Sequence, residues 1–341
     1  MSETTACRKM LIVKPSSLGD VVHSLPFLNA MKRCFPKAEI HWVIAKGLEG
    51  LLEGHPMVDR LVIINKDLWK DLSRTGSTLK EIRELYRQLG REKYDVVVDL
   101  QGLLRSGLIT HATHAELRIG FSAAREGSRL FYTKKVKTDR DMHAVDRYLK
   151  VAAALGCDAD EKVFPLPPAD PAGHIAARTA GIGPYVVLVP GARWKTKIWP
   201  AESFGKVAAM LPLRSVIVGS RADRAIADDV MAHSGGRAIS VVGETSLKEL
   251  IDVMRAAQAV ITNDSGPMHI AAALNVPVVA LFGPTSPLKT GPYGSGHVVL
   301  QSKAACVPCF KRDCRDMRCM KDLTPEAVYH EALRVLTGSK K

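Results

Sequence analysis

The feature that most constrains this chain is one pattern written twice. Short β-rich runs, "KMLIVK" from residue 9, "EIHWVIA" from 39, "VDRLVIIN" from 58 and "YDVVVDLQG" from 94, are separated by helical patterns such as "VVHSLPFLNAMKRC" and "TLKEIRELYRQLGRE". Strands alternating with helices require a parallel sheet with crossover helices. At "FPLPPADPA" (164–172) four prolines fall within eight residues, a stiff, non-periodic linker. The pattern then restarts with "PYVVLVPGA", "LRSVIVGS", "AISVVGE", "AQAVITNDSG" and "VPVVALFGPTS". The expected fold is therefore α/β: two doubly wound, Rossmann-like domains, over residues 1–165 and 172–322. The segment 323–341 reads as a closing helix, capped by Thr324 with Pro325 in its first turn, and is expected to pack back on the first domain.

A length of 341 residues suits two cores of ordinary size. No apolar run has the length of a membrane span and no secretory leader is recognisable, so a cytoplasmic protein is expected. The 48 Lys and Arg against 35 Asp and Glu give +13, which favours anionic partners: nucleic acid, phosphorylated substrates or an acidic membrane surface. Nucleic acid is disfavoured, because only 6% of residues are aromatic and no arginine-rich tail or zinc-finger pattern occurs.

Ligands of doubly wound sheets bind beyond the carboxyl ends of the strands. In "TNDSGPMHIAAAL" such an end places Asp264, Ser265, Gly266 and His269 at a helix N-terminus, a suitable pocket for a diphosphate; the alternative is a helix cap and a local imidazole hydrogen bond. In "VPGARWKTKIWP" Arg193, Lys195 and Lys197 crowd one loop that also carries two tryptophans, where lysine could neutralise a departing diphosphate or simply be solvated. Asp223 in "VIVGSRADR" could accept ribose hydroxyls or serve as a first-turn helix acid. In the first half, Arg105, Arg125, Arg129, Lys134 and Lys135, together with His143, suggest a substrate bearing several negative charges, although arginines of this kind are more often surface residues.

The stretch "KPSSLGDVVHSLP" carries a carboxylate, Asp20, where a phosphate loop would use amides or a lysine. From the residues alone "SLGD" is a capping box, with Ser17 at the cap and Asp20 three residues on. Of seven cysteines, Cys306, Cys309, Cys314 and Cys319 form "CVPCFKRDCRDMRC". The first pair has metal-ligand spacing, so a structural zinc or an iron–sulfur centre is one expectation, and reduced thiols or an opportunistic disulfide are the others. Cys7, Cys34 and Cys157 are scattered and read as ordinary small residues in a reducing cytosol.

Taken together, "LIVKPSSLGDVVHSLP", "DLQGLLRSG", "REGSRLFY", "HAVDRY" and "TNDSGPMHIAAALNVPVVALFGPTSP" resemble the ADP-heptose:lipopolysaccharide heptosyltransferases of glycosyltransferase family 9, and the middle motifs are most similar to the first heptosyltransferase. The resemblance implies a GT-B fold, with two Rossmann-like domains facing across a cleft, the first for acceptor and the second for nucleotide sugar. It implies an inverting transfer of L-glycero-D-manno-heptose from ADP-heptose to the Kdo region of lipid A, with no metal or other cofactor required.

Carried onto this chain, the resemblance makes Asp20 the base and Lys197 the stabiliser of departing ADP. It gives Asp264 the heptose hydroxyls, Ser265 and Gly266 the phosphates, His269 their neighbourhood, Asp223 the ribose and the backbone around Thr245 the adenine. Arg193 stands where first-type enzymes often carry threonine, replacing a hydroxyl contact with a charge. Lys66, Lys70, Arg105, Arg125 and His143 fall on the acceptor side. The implied location is the cytoplasmic face of the inner membrane, against its anionic surface. The alternatives are the second heptosyltransferase, another family 9 sugar transferase, or a non-catalytic nucleotide-sugar or nucleic-acid binding protein.

Overall fold

The apolar runs are buried along almost their whole length because both faces of each sheet are covered by helices. A computed structural model of the chain describes residues 7–65, 75–139, 141–169 and 174–338, in two units divided at Pro167/Pro168, inside the proline-rich stretch. The first unit runs β1 (Lys9–Val13), α1 (Leu18–His23), α2 (Leu25–Cys34), β2 (Glu39–Ala45), β3 (Arg60–Ile64), α3 (Thr75–Arg91), β4 (Val96–Asp99), α4 (Leu104–Ala112), β5 (Leu117–Phe121), β6 (Lys134–Val136) and α5 (Ala144–Ala154). Its parallel sheet has the order β3-β2-β1-β4-β5-β6. The order reverses between β1 and β4, whose register pairs Val13 with Asp99.

The second unit runs α6 (His174–Ala180), β7 (Tyr185–Val189), α7 (Ala201–Met210), β8 (Arg214–Ile217), α8 (Arg224–His233), β9 (Ala238–Ser240), α9 (Leu247–Arg255), β10 (Ala259–Asn263), α10 (Gly266–Ala273), β11 (Val278–Phe282), α11 (Pro287–Thr290), β12 (Val298–Gln301), α12 (Arg318–Lys321) and α13 (Pro325–Leu336). Its sheet, β12-β11-β10-β7-β8-β9, is also parallel and repeats the same connectivity, reversing between β7 and β10. Both sheets thus have the strand order of dinucleotide-binding folds, in which the reversal opens a crevice at the carboxyl end of the sheet.

Three local findings depart from the sequence expectations. The single helix expected over "VVHSLPFLNAMKRC" is two, broken at Ser24, with Pro26 in the first turn of α2 where its missing N–H costs nothing. Cys34 and Cys157, read as unpaired, are joined in a disulfide with their Cα atoms 5.5 Å apart. Packing of α2 against α5 brings the last residue of one helix to the turn after the other. Finally, α13 belongs to the second unit. Val328 and Ala332 are buried in the second unit's core with Trp199, Phe204 and Leu281, and the Trp199 indole N–H donates to the Leu323 carbonyl at 2.9 Å.

Candidate active site

The strand β1 ends in a lysine that water does not reach. Lys14 is 2% exposed, and its Nζ donates to the Leu100 carbonyl at 3.3 Å, lies 5.1 Å from the centre of the Tyr148 ring and stands 3.5 Å from Asp20 Oδ1. Asp20 Oδ2 accepts from the Ser17 N–H (2.9 Å) and hydroxyl (2.7 Å), as the capping-box pattern requires, and Oδ1 accepts from the Tyr148 hydroxyl at 3.3 Å. Burial alone would raise the Asp20 pKa, but Lys14, the Ser17 donors and the nearby His23 outweigh it and hold the carboxyl well below the usual range. Burial also works against the Lys14 charge, and Asp20 and Tyr148 reverse that as well. The pair is therefore an ionised carboxylate with a fixed orientation beside a permanent cation.

The first sheet's reversal point carries a second buried acid. Asp99, the last residue of β4, accepts from the Gln101 N–H (2.8 Å), the Gly102 N–H (3.0 Å) and the Tyr132 hydroxyl (2.6 Å). Burial pushes its carboxyl pKa up despite these donors. Its contacts set the loop that leads into Arg105 near the start of α4, and the Arg125 N–H donates to the Gly102 carbonyl of that loop at 2.9 Å. Asp99 thus anchors the turn that leads into Arg105 and to which the backbone of Arg125, on the loop after β5, is hydrogen-bonded. His143 caps α5, its Nδ1 accepting from the Val145 N–H at 3.2 Å, and its ring packs edge-on against His23 at 5.0 Å. Lys66 and Lys70 lie outside the described residues.

In the second unit the reversal point gathers the predicted donor residues. Asn263 ties the end of β10 to the loop after β7: its Nδ2 donates to the Pro190 carbonyl at 2.7 Å and its Oδ1 accepts from the Trp199 N–H at 3.1 Å. That staple delivers Lys197 to Asp264, with Nζ to Oδ2 at 2.5 Å, and the Thr285 hydroxyl donates to the same oxygen at 2.6 Å. Ser265 precedes α10 in extended conformation, its hydroxyl 3.3 Å from that of Thr262, and His269 is buried one turn into the helix. Asp223 Oδ2 accepts from the Ser220 N–H (2.8 Å) and hydroxyl (2.7 Å), the same Ser-x-x-Asp device that holds Asp20. Its carboxylate lies so close over Gly191 that a Cβ there would come within 2.5 Å of Cγ, which explains the glycine. Thr245 follows Gly243 and Glu244, which with His174, Arg221 and Arg224 line a cavity of about 620 Å³.

Of the sequence-predicted residues, Lys197 and Asp264 are in direct contact, Asp223 lies over the β7 loop, Arg105 follows the Asp99 turn in α4, and the Arg125 backbone is tied to that turn from the loop after β5. Arg193 and Lys195 are exposed on the β7 loop. Among the described residues no set of three or more Cys, His, Asp or Glu is arranged to hold a metal ion, and Cys306, Cys309, Cys314 and Cys319 are free thiols, so the expectation of zinc or an iron–sulfur centre gains no support. Lys14, Tyr148, Asp99, Tyr132 and Thr285 are contributions that sequence reasoning missed. A lysine closing an otherwise apolar strand was the one available signal for Lys14.

Comparisons with known proteins identify the family. The family model "Glycosyltransferase family 9 (heptosyltransferase)" matches residues 82–319. The chain is 35% identical to lipopolysaccharide heptosyltransferase 1 of Pseudomonas aeruginosa, over 90% of this chain and 87% of that protein. It is 28% identical to lipooligosaccharide heptosyltransferase 2 of Haemophilus ducreyi, over 96% and 99%. Among solved structures it matches the family 9 glycosyl transferase of Veillonella parvula with a TM-score of 0.82 at 27% identity, covering 97% of this chain and 98% of that one. It matches E. coli heptosyltransferase WaaC with ADP-2-deoxy-2-fluoro heptose with a TM-score of 0.77 at 25% identity, covering 96% and 99%. The fold is GT-B, and the chain belongs to glycosyltransferase family 9, the heptosyltransferases.

Proposed function

We propose that this enzyme moves L-glycero-D-manno-heptose from ADP-heptose to the Kdo region of lipid A, with inversion and without a metal ion. The observation that carries the reading is Asp20: an ionised, oriented carboxylate beyond the first strand of the first sheet, with arginines on the neighbouring loop suited to an anionic acceptor. Its relatives' names support heptose as the sugar. In an inverting displacement the acceptor oxygen attacks the anomeric carbon, the bond to the diphosphate breaks with its electron pair on ADP, and the acceptor proton passes to Asp20. A carboxylate acidified by Lys14 is a weak base, so the proton moves late, once bond formation has made the attacking oxygen strongly acidic.

On the donor side Lys197 and Arg193 supply charge to the departing diphosphate, Asp264 meets the heptose hydroxyls, Ser265, Gly266 and His269 surround the phosphates, Asp223 binds the ribose and the Thr245 loop the adenine. Arg105, Arg125 and His143 hold Kdo carboxylates or lipid phosphates. The +13 charge suits work at the anionic cytoplasmic face of the inner membrane; none of the described helices is long and apolar enough to cross one. The second heptosyltransferase activity is the other reading, favoured by the nearly full-length match to the Haemophilus ducreyi protein. Turnover of ADP-heptose and Kdo-lipid A in excess chelator, with the new linkage read by NMR, tests the mechanism. Inverted product at an undiminished rate is expected; retained configuration or loss of turnover on chelation would contradict it.

A further inference from the structure

The cysteine segment finds its use in what it carries rather than in its thiols. Between Cys309 and Cys314 it holds Arg312, and two anchors place that residue. The Phe310 N–H donates to the Pro284 carbonyl beyond β11 at 2.8 Å, and the buried Thr196 hydroxyl donates to the Lys311 carbonyl at 2.8 Å. The far end of the segment is fixed at Gly283, where a Cβ would meet Met320 Sδ at 2.4 Å and Cys319 Sγ at 3.0 Å. The segment is therefore seated on the two strand ends that flank Lys197 and Asp264.

Trp194 joins this segment to the donor loop. Lys197 Nζ lies 4.7 Å from the centre of its ring and Arg312 Cζ 4.8 Å from the same centre. The two cations are thus no farther apart than the sum of those distances. Lys197 already pairs with Asp264 at 2.5 Å, whereas among the described residues no carboxylate pairs with Arg312, which is exposed. A nucleoside diphosphate carries more negative charge than one partly neutralised lysine can balance, and a guanidinium steered by an indole ring offers a planar fork of donors that suits phosphate oxygens.

We propose that Arg312 is a further cation of the donor diphosphate site, beside Lys197 and Arg193, presented by the cysteine segment and steered by Trp194. The inference rests on the reading of the second unit as an ADP-sugar site. As the anomeric carbon–oxygen bond breaks and its electron pair stays on the diphosphate, Arg312 binds that charge beside Lys197, while the acceptor proton goes to Asp20.

Calorimetric titration of the full chain with ADP and with adenosine, for the wild type, Arg312→Ala, Arg312→Lys and Trp194→Leu, tests it, with circular dichroism to check folding. Arg312→Ala is expected to weaken ADP binding about tenfold or more while leaving adenosine binding unchanged. Arg312→Lys should recover part of the loss, and Trp194→Leu should fall between. Unchanged ADP affinity in Arg312→Ala would overturn the proposal, and so would an equal loss for ADP and adenosine, which marks a structural role. A wild type that binds ADP but transfers no heptose would refute the function proposed above and leave this comparison valid. A wild type that does not bind ADP would overturn both.

Discussion

Lys14 Nζ stands 3.5 Å from Asp20 Oδ1, and the lysine is sealed from water while the carboxylate side chain keeps 35% exposure. The arrangement gives the carboxylate one side open to solvent and one side that is a fixed positive charge. Replacing Asp20 therefore does two separable things. Loss of a general base typically slows transfer by about 100-fold to 10,000-fold, and Asp20→Asn is expected to show that loss with ADP affinity nearly intact. The same change leaves the Lys14 ammonium buried without its counter-charge. Such a break costs about 3–5 kcal/mol when both partners are buried, and with Asp20 partly exposed about 2 kcal/mol is expected in urea unfolding. Adding Lys14→Met should restore the stability and none of the activity. Full activity in Asp20→Asn would remove Asp20 from the mechanism.

The pH dependence separates Lys14 from a packing role. Because the folded pKa of Asp20 lies below its unfolded value, ionisation adds stability above the unfolded pKa of about 3.9, and that contribution fades as pH falls through the folded value. Wild-type kcat/KM should therefore show no acid limb from Asp20 above about pH 4. In Lys14→Met, burial is opposed only by Ser17, Tyr148 and His23, so the Asp20 pKa rises and an acid limb moves into the measurable range. A profile identical to that of the wild type would show that Lys14 does not govern Asp20.

On the acceptor loop, Tyr132→Phe removes the hydroxyl that donates to Asp99 at 2.6 Å and leaves a carboxylate oxygen unsatisfied in the core. A loss of about 1–3 kcal/mol in unfolding free energy is expected. Because Asp99 sets the turn that leads into Arg105 and accepts the Arg125 N–H, KM for the acceptor should rise while KM for the donor stays put. A matching rise in both would indicate general loosening instead.

Gly191→Ala probes the donor side, since the added Cβ would lie 2.5 Å from the Asp223 carboxyl carbon and must displace it. KM for ADP-heptose is expected to rise about tenfold, the cost of weakened ribose hydrogen bonds, with KM for the acceptor unmoved. An unaltered donor KM would take Asp223 out of the nucleotide site.

Alternating strand and helix signals made the doubly wound architecture legible, because fully buried strands such as "MLIV" and "VVLV" admit few other readings. β5, β6 and β12 were missed, β5 because Arg118 and Gly120 interrupt its apolar run. β6 is the edge strand "KKV", with both lysines exposed, and β12 is an edge strand with no fully buried residue, so neither has the apolar signature of a central strand. Lys197 and Asp264 could be singled out because ligand sites concentrate at strand ends in such folds, whereas the role proposed for Asp20 came only from the family resemblance, the residues alone reading as a capping box. Lys14, Tyr148 and Asp99 were not, because their burial comes from elements distant in the chain. The Cys34–Cys157 link was hidden likewise, since 123 residues separate the two and only the packing of α2 on α5 joins them.

On the function proposed above, this family 9 enzyme places the first heptose on Kdo. Incubating the chain with ADP-heptose and either Kdo-lipid A or its monoheptosyl product, then weighing the lipids by mass spectrometry, tests it most directly. A gain of one heptose on Kdo-lipid A, with the monoheptosyl lipid unchanged, is the predicted result. Heptose added only to the monoheptosyl lipid, or to neither, would contradict it.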